Sequence, residues 1–152
     1  MKLKIKDFEE GKEIPAKFTC DAEDHSPEIF WEDIPPKTES LVLIVDDPDA
    51  PVGNFVHWVI YNIPPNVNHL EENFTRAKRL GNGITQGKND FGKIGYNGPC
   101  PPRGHGYHRY YFTLYATTLK NIERDSLTKK EIMGLIENKI LAKDIRMGRY
   151  KR

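Results

Sequence analysis

Apolar and polar positions alternate along much of this chain, with the two-residue period of β-strands. "KLKIK" near the start interleaves lysines with Leu3 and Ile5. "IPAKFTC" sets Ile14, Ala16, Phe18 and Cys20 on one face of a predicted strand. "SLVLIVDD" is different, a continuous apolar run ending in two acids. Its length and β-branching fit a strand buried on both faces. "FVHWVIYNI" is similar and stops before Pro64-Pro65; its period places Phe55, His57, Val59 and Tyr61 together. In "YHRYYFTLYATTL" one face carries His108, Tyr110, Phe112, Leu114 and Ala116, and the other Tyr107, Arg109, Tyr111, Thr113 and Tyr115. Clusters such as "PPKTES", "DPDAPVGN" and "NGPCPPRGHG" read as turns between these runs. Helical spacing appears late. "TKKE", Thr128 to Glu131, is a capping box, and Ile132, Leu135, Ile136 and Ile140 recur behind it with a helix period. The pattern predicts one domain over residues 1–152, an all-β antiparallel sandwich with a C-terminal peripheral helix.

Composition narrows the class. The chain has 152 residues, 38% hydrophobic and 30% charged, enough for a real core under a polar surface. A net charge of +1 exerts no global pull toward nucleic acid or an anionic membrane. Lys139, Lys143, Arg146, Arg149, Lys151 and Arg152 form a basic C-terminus, expected to be a helix end followed by a solvated tail. No apolar run has signal-peptide length or approaches the ~20 residues of a membrane span. A cytoplasmic location is therefore expected, with no integral membrane segment. Cys20 and Cys100 are far apart in sequence and form no CxxC pair. In a reducing cytosol they are expected to be free thiols rather than a disulfide, a zinc site or a redox motif.

Candidate chemistry gathers at predicted strand ends. The short "PDAPVGN" connection makes an antiparallel hairpin of the two long apolar runs. That hairpin brings Asp46 or Asp47 beside the stretch from Asn54 to His57. His57 is then a polar member of an apolar stripe with a carboxylate nearby. His108 and Tyr110 sit two apart at the start of another apolar strand. Three strand ends of this kind make a pocket with an apolar wall and convergent polar groups. A core histidine with one hydrogen bond and ordinary Asp-Pro turn chemistry account for the same residues, and spacing does not separate the two readings. In the loop before His108, Pro99, Pro101 and Pro102 stiffen the backbone, while Gly98, Gly104 and Gly106 admit close approach. The remaining N–H groups, with His and Tyr donors, suit an oxyanion such as phosphate. A metal site is disfavoured, because His105 and His108 face opposite ways on an extended strand. No GxSxG elbow is present, and Cys100 reads as a wall residue rather than a nucleophile. The expectation is a protein without cofactor or metal that is not an enzyme.

"DDPDAP", "FVHW" and "NDFGKIGYNGPCPPRGHGYHRYYFTLYA", in this order, resemble the phosphatidylethanolamine-binding protein family, which includes the Raf kinase inhibitor proteins. The resemblance is nearest to its compact bacterial and archaeal branch and covers nearly the whole chain. It implies a β-sandwich with peripheral helices and a small pocket for phosphate, acetate or a phospholipid head group. By the motifs, the pocket residues are Asp47, Asp49, His57, His108 and Tyr110, with Gly98 and Cys100 in the rim loop. The resemblance further implies a cis bond at Ala50-Pro51. For partners it implies a kinase or other signalling protein whose activity pocket occupancy modulates, and it allows a homodimer. Some relatives inhibit serine proteases, which would make Gly81–Lys93 the docking loop here. Two departures stand out. The loop between "DPDAP" and "HW" is short and no long extension follows the helix, unlike eukaryotic members. Ala22 and Glu28 replace the Gly and Pro usual in the bacterial pattern.

Overall fold

The computed structural model describes all residues from Met1 to Arg152. The strands, in chain order, are β1 (Lys2–Ile5), β2 (Ile29–Glu32), β3 (Ser40–Asp47), β4 (Phe55–Ile63), β5 (His69–Leu70), β6 (Thr85–Gln86), β7 (His108–Thr117) and β8 (Ile140–Tyr150). One helix, α1 (Lys129–Ile136), precedes β8. The strands form two antiparallel sheets, ordered β1-β2-β5 and β6-β4-β3-β7-β8. The fold is mostly β, a two-sheet sandwich with one short helix near the C-terminus.

Strand β3 shows why its run is apolar without alternation. Leu41, Leu43 and Val45 point into the core between the sheets, with Leu3, Ile29, Trp31, Trp58, Phe112 and Leu114. Val42 and Ile44 point the other way, onto Val59, Tyr61, Leu127, Ile132 and Ile136. The strand is central in its sheet and covered on both faces, so every residue from Ser40 to Asp47 is buried. Helix α1 supplies the second cover. Its capping box is complete: Glu131 N–H donates to the Thr128 hydroxyl at 3.3 Å, and Thr128 N–H donates to the Glu131 carboxylate at 3.1 Å. Ile132 and Ile136 form the buried face, whereas Leu135 is exposed.

Four local expectations are corrected. The segment Ile14–Cys20 is not a strand; Ala16–Phe18 forms a 3-10 turn. Pro15 has no N–H to give a ladder, and the Phe18 carbonyl accepts instead from the Tyr96 hydroxyl at 2.7 Å. The basic C-terminus is not a helix end with a tail. Ile140 already belongs to β8, and Lys143, Arg146 and Arg149 lie on that strand. The helix ends because Glu137–Lys139 turn the chain back beside β7, where Thr118 N–H donates to the Lys139 carbonyl at 2.9 Å. No cis peptide bond occurs, so Ala50-Pro51 is trans. The turn is tied by side chains instead, with Asp49 N–H donating to the Asp47 carboxylate at 2.7 Å.

The fourth correction positions the site. Strand β4 pairs Val45 with Trp58 but Asp46 with Val56, which leaves His57 as an extra residue opposite one step of β3. This β-bulge breaks the two-residue period. Val59 and Tyr61 face the helix, and Val56 lies on that side. His57 is turned to the other side, with its ring 5.3 Å from Tyr110. It does not share a face with Val59 and Tyr61.

Candidate anion-binding pocket

At the end of the five-stranded sheet, beside the last residues of β3 and the first of β4 and β7, lies a cavity of about 280 Å³. Its polar lining is Asp47, His57, His108 and Tyr110. Its mouth is apolar, made by Pro51, Val52, Phe55, Phe91, Pro101 and Pro102. Strand pairing explains the convergence. Asp47 ends β3, Phe55 opposite it begins β4, and His108 begins β7 on the other side of β3.

Asp47 and His108 make a buried pair, Asp47 Oδ2 to His108 Nδ1 at 2.7 Å, with side chains 4% and 2% exposed. The other Asp47 oxygen accepts the Asp49 N–H. His57 is tied by Nδ1, 2.6 Å from the Asn97 carbonyl oxygen. A carbonyl only accepts, so Nδ1 carries the proton. Burial lowers the His57 pKa from its usual value, outweighing the Asn97 bond and the nearby aspartates that favour the charged form. His57 is therefore a neutral tautomer with a lone pair on Nε2, the nitrogen left without a protein partner. Tyr110 is the complementary group. Burial first, and the Asp47 charge second, push its phenol pKa upward, so it stays a donor. Edge contacts of Phe55 and Phe91 with the His57 ring, at 5.2 and 5.5 Å, fix that ring from the mouth side.

The seven residues singled out in the sequence divide. Asp47, His57, Cys100, His108 and Tyr110 line the cavity. Asp49 does not. Its carboxylate accepts from Arg109 N–H at 3.0 Å and from the guanidinium at 2.8 Å twice. Those bonds hold its pKa down to about 2, and its role is to fasten the turn after β3 to β7. Gly98 does not line the cavity either. Its N–H donates to Asp24 at 2.9 Å, and a Cβ there would lie 2.0 Å from the Phe18 carbonyl oxygen. It is glycine because the rim loop crosses the Ala16–Phe18 turn without room for a side chain.

The expectation of free thiols is overturned. Cys20 and Cys100 form a disulfide, with Cα atoms 5.4 Å apart. Sequence separation hid the pairing, which the close crossing of the two loops creates. Cys20 N–H donates to the Pro99 carbonyl at 3.1 Å, which brings the two segments side by side. Arg152 reinforces the rim by donating to the Pro101 carbonyl at 2.8 Å and pairing with Asp21. Asp24 and Asn97 were not singled out in the sequence, and Arg152 was read only as part of a solvated tail; each acts through a contact between segments distant in the chain. Phe55 and Phe91 were also missed, since an aromatic residue beside a turn carries no signal of its own. His105, set aside because of its spacing from His108, in fact touches it: His105 Nδ1 lies 2.6 Å from His108 Nε2. The two lie on a bend rather than along one strand, which removes the facing argument. The segment Gly81–Lys93 is not a free loop over its length. Ile84, Thr85, Gln86 and Asn89 are buried, and Gln86 accepts from the Trp58 indole at 2.8 Å.

The profile of the family described as phosphatidylethanolamine-binding protein matches residues 4–151. The chain belongs to the phosphatidylethanolamine-binding protein family. Within it, this chain is similar to the UPF0098 protein of Aquifex aeolicus, 48% identical over all of this chain and 89% of that one. Among solved structures it is similar to the putative phosphatidylethanolamine-binding protein homolog CT736 of Chlamydia trachomatis, at 35% identity and a TM-score of 0.89, covering 99% of this chain and 96% of that one. YbcL of E. coli superposes with a TM-score of 0.90 at 28% identity, over 99% and 98% of the two chains. No helix is long and apolar enough to cross a membrane.

Proposed function

We propose that this protein is a binding module, not an enzyme, and that its cavity takes the phosphate or carboxylate of a small ligand such as a phospho head group. The observation that carries the reading is the pairing of an uncommitted donor with an uncommitted acceptor. The Tyr110 hydroxyl and the His57 Nε2 lone pair open onto one cavity and have no protein partner there. A singly protonated phosphate monoester has what both require, an oxygen for Tyr110 and an O–H for His57. Both Asp47 oxygens are already bonded, to His108 and to the Asp49 N–H, which offsets part of its repulsion of an anion. The apolar mouth fits a ligand that carries an apolar group beyond its anion. The cavity volume fits a head group rather than a drug-sized molecule. Among the lining residues Cys100 is not available as a nucleophile, since its sulfur is in a disulfide. Occupancy of the cavity would act on a protein partner, a kinase or other signalling protein, through the exposed mouth.

Calorimetry and NMR titration with phosphate and phosphoethanolamine test this. Saturable shifts at His57 and Tyr110 are expected, with His57→Ala and Tyr110→Phe each weakening binding by about tenfold, the value of one hydrogen bond. A wild-type protein with no shift at either residue refutes the reading.

A further inference from the structure

His108 is the pocket residue that looks most available and is least so. Its Nδ1 is bonded to Asp47, and its Nε2 lies 2.6 Å from His105 Nδ1. Both ring nitrogens are spent, so a ligand in the cavity meets only the ring. His57 and Tyr110 are in the opposite condition, each with one polar atom free.

The partner that occupies His108 is built to leave. His105 is exposed, whereas His108 is buried. It lies between Gly104 and Gly106, both with positive φ, 78° and 88°, and a Cβ at either would meet nothing within 4 Å. Two unobstructed glycines on either side of one residue are a pivot. Apart from the bond to His108, His105 is tied by one long backbone bond, its N–H to the Pro102 carbonyl at 3.2 Å. The anchors on each side are firm by comparison. Gly104 N–H donates to the Arg152 carbonyl at 3.0 Å, and Asp47 grips His108 from within. The freedom to swing thus lies with the His105 side chain and its two flanking glycines.

We propose that His105 is a displaceable occupant of the ligand's place on His108, and so sets the pocket's affinity for anions. Ligand binding exchanges the His105–His108 bond for a ligand–His108 bond and adds a third polar contact to those of His57 and Tyr110. The inference rests on the anion-binding reading of the cavity.

Calorimetry with inorganic phosphate on wild type and His105→Ala tests it, with NMR of the imidazole nitrogens. His105 is exposed, so the variant keeps the wild-type fold, which its melting curve checks. Removing the competitor is expected to tighten phosphate binding about tenfold, the factor one hydrogen bond supplies. In wild type, phosphate should shift the His105 and His108 nitrogens together. Equal or weaker binding by His105→Ala, with wild type still binding, overturns displacement and leaves the anion site standing. No phosphate binding by either protein overturns both.

Discussion

Breaking the Cys20–Cys100 bond at the pocket rim should destabilise this fold strongly. The bond spans a sequence separation of 80. For a loop that long, the chain-entropy relation puts the lost constraint on the unfolded state at about 4.5 kcal/mol at 25 °C. For a domain of this size, that loss should lower the melting temperature by roughly 10–15 °C. The native side adds little to the loss, because the rim keeps the Gly98–Asp24, Cys20–Pro99 and Arg152–Pro101 hydrogen bonds when the sulfurs separate. The measurement is urea unfolding of the oxidised protein, the thiol-reduced protein and a Cys20→Ser/Cys100→Ser variant, with thiol titration confirming each state. The reduced and substituted proteins should agree with each other and unfold at a clearly lower denaturant concentration. A fully reduced protein that unfolds at the oxidised midpoint would refute a stabilising role for the bond. The same titration applied to protein alkylated inside intact cells tests the proposal of a cytoplasmic location. A reducing cytosol keeps such sulfurs as thiols, except in hyperthermophiles, where intracellular disulfides are common.

Gly134→Ala should stabilise the protein by roughly 1 kcal/mol, since the residue is inside α1 and a Cβ there meets nothing within 4 Å; an unchanged or lower urea midpoint would contradict this. Gly98→Ala should be strongly destabilising, because its Cβ would collide with backbone at 2.0 Å, and a wild-type melting curve would show that the rim loop does not cross so closely. Asp47→Ala should cost about 1–3 kcal/mol, the penalty for leaving the buried His108 Nδ1 without its partner, with unfolding free energy as the readout and an unchanged value as the contrary result. His57 and Asp49 both contribute to the acid side of the stability profile. The His57 pKa is lowered on folding, so its contribution is complete above about 6.5 and falls as pH drops below that, by at most about 1.4 kcal/mol per unit. Asp49, held at about 2 against an ordinary 3.8, contributes above that ordinary value and loses its share as pH falls from about 4 to 2. That share is small, because half of the Arg109 side chain faces solvent. Unfolding free energies from pH 7.5 to 5, compared with His57→Gln, should show the upper slope in wild type and a flatter one in the variant.

The amino-acid pattern alone determined what depends on neighbours in sequence. The doubly buried run Ser40–Asp47, the alternation His108–Ala116 and the Thr128–Glu131 capping box are periodic or local features, and each appears as expected. The motifs around Asp47, His57, His108 and Tyr110 marked the pocket, because turn chemistry places strand ends together. Most of what failed depended on contacts between distant segments. Ile140–Tyr150 is a strand because β7 offers it an edge, which no property of "ILAKDIRMGRY" by itself announces. His57 reaches the pocket through a bulge, and a bulge is set by the register of β3 against β4. Asp49 faces Arg109 and Cys100 meets Cys20 for the same reason: their partners lie 60 and 80 positions away. Local periodicity states which face a side chain occupies, and only packing states what lies opposite it. His108 shows both: its Nδ1 meets Asp47, 61 positions away, and a bend in the loop sets its near neighbour His105 against its Nε2.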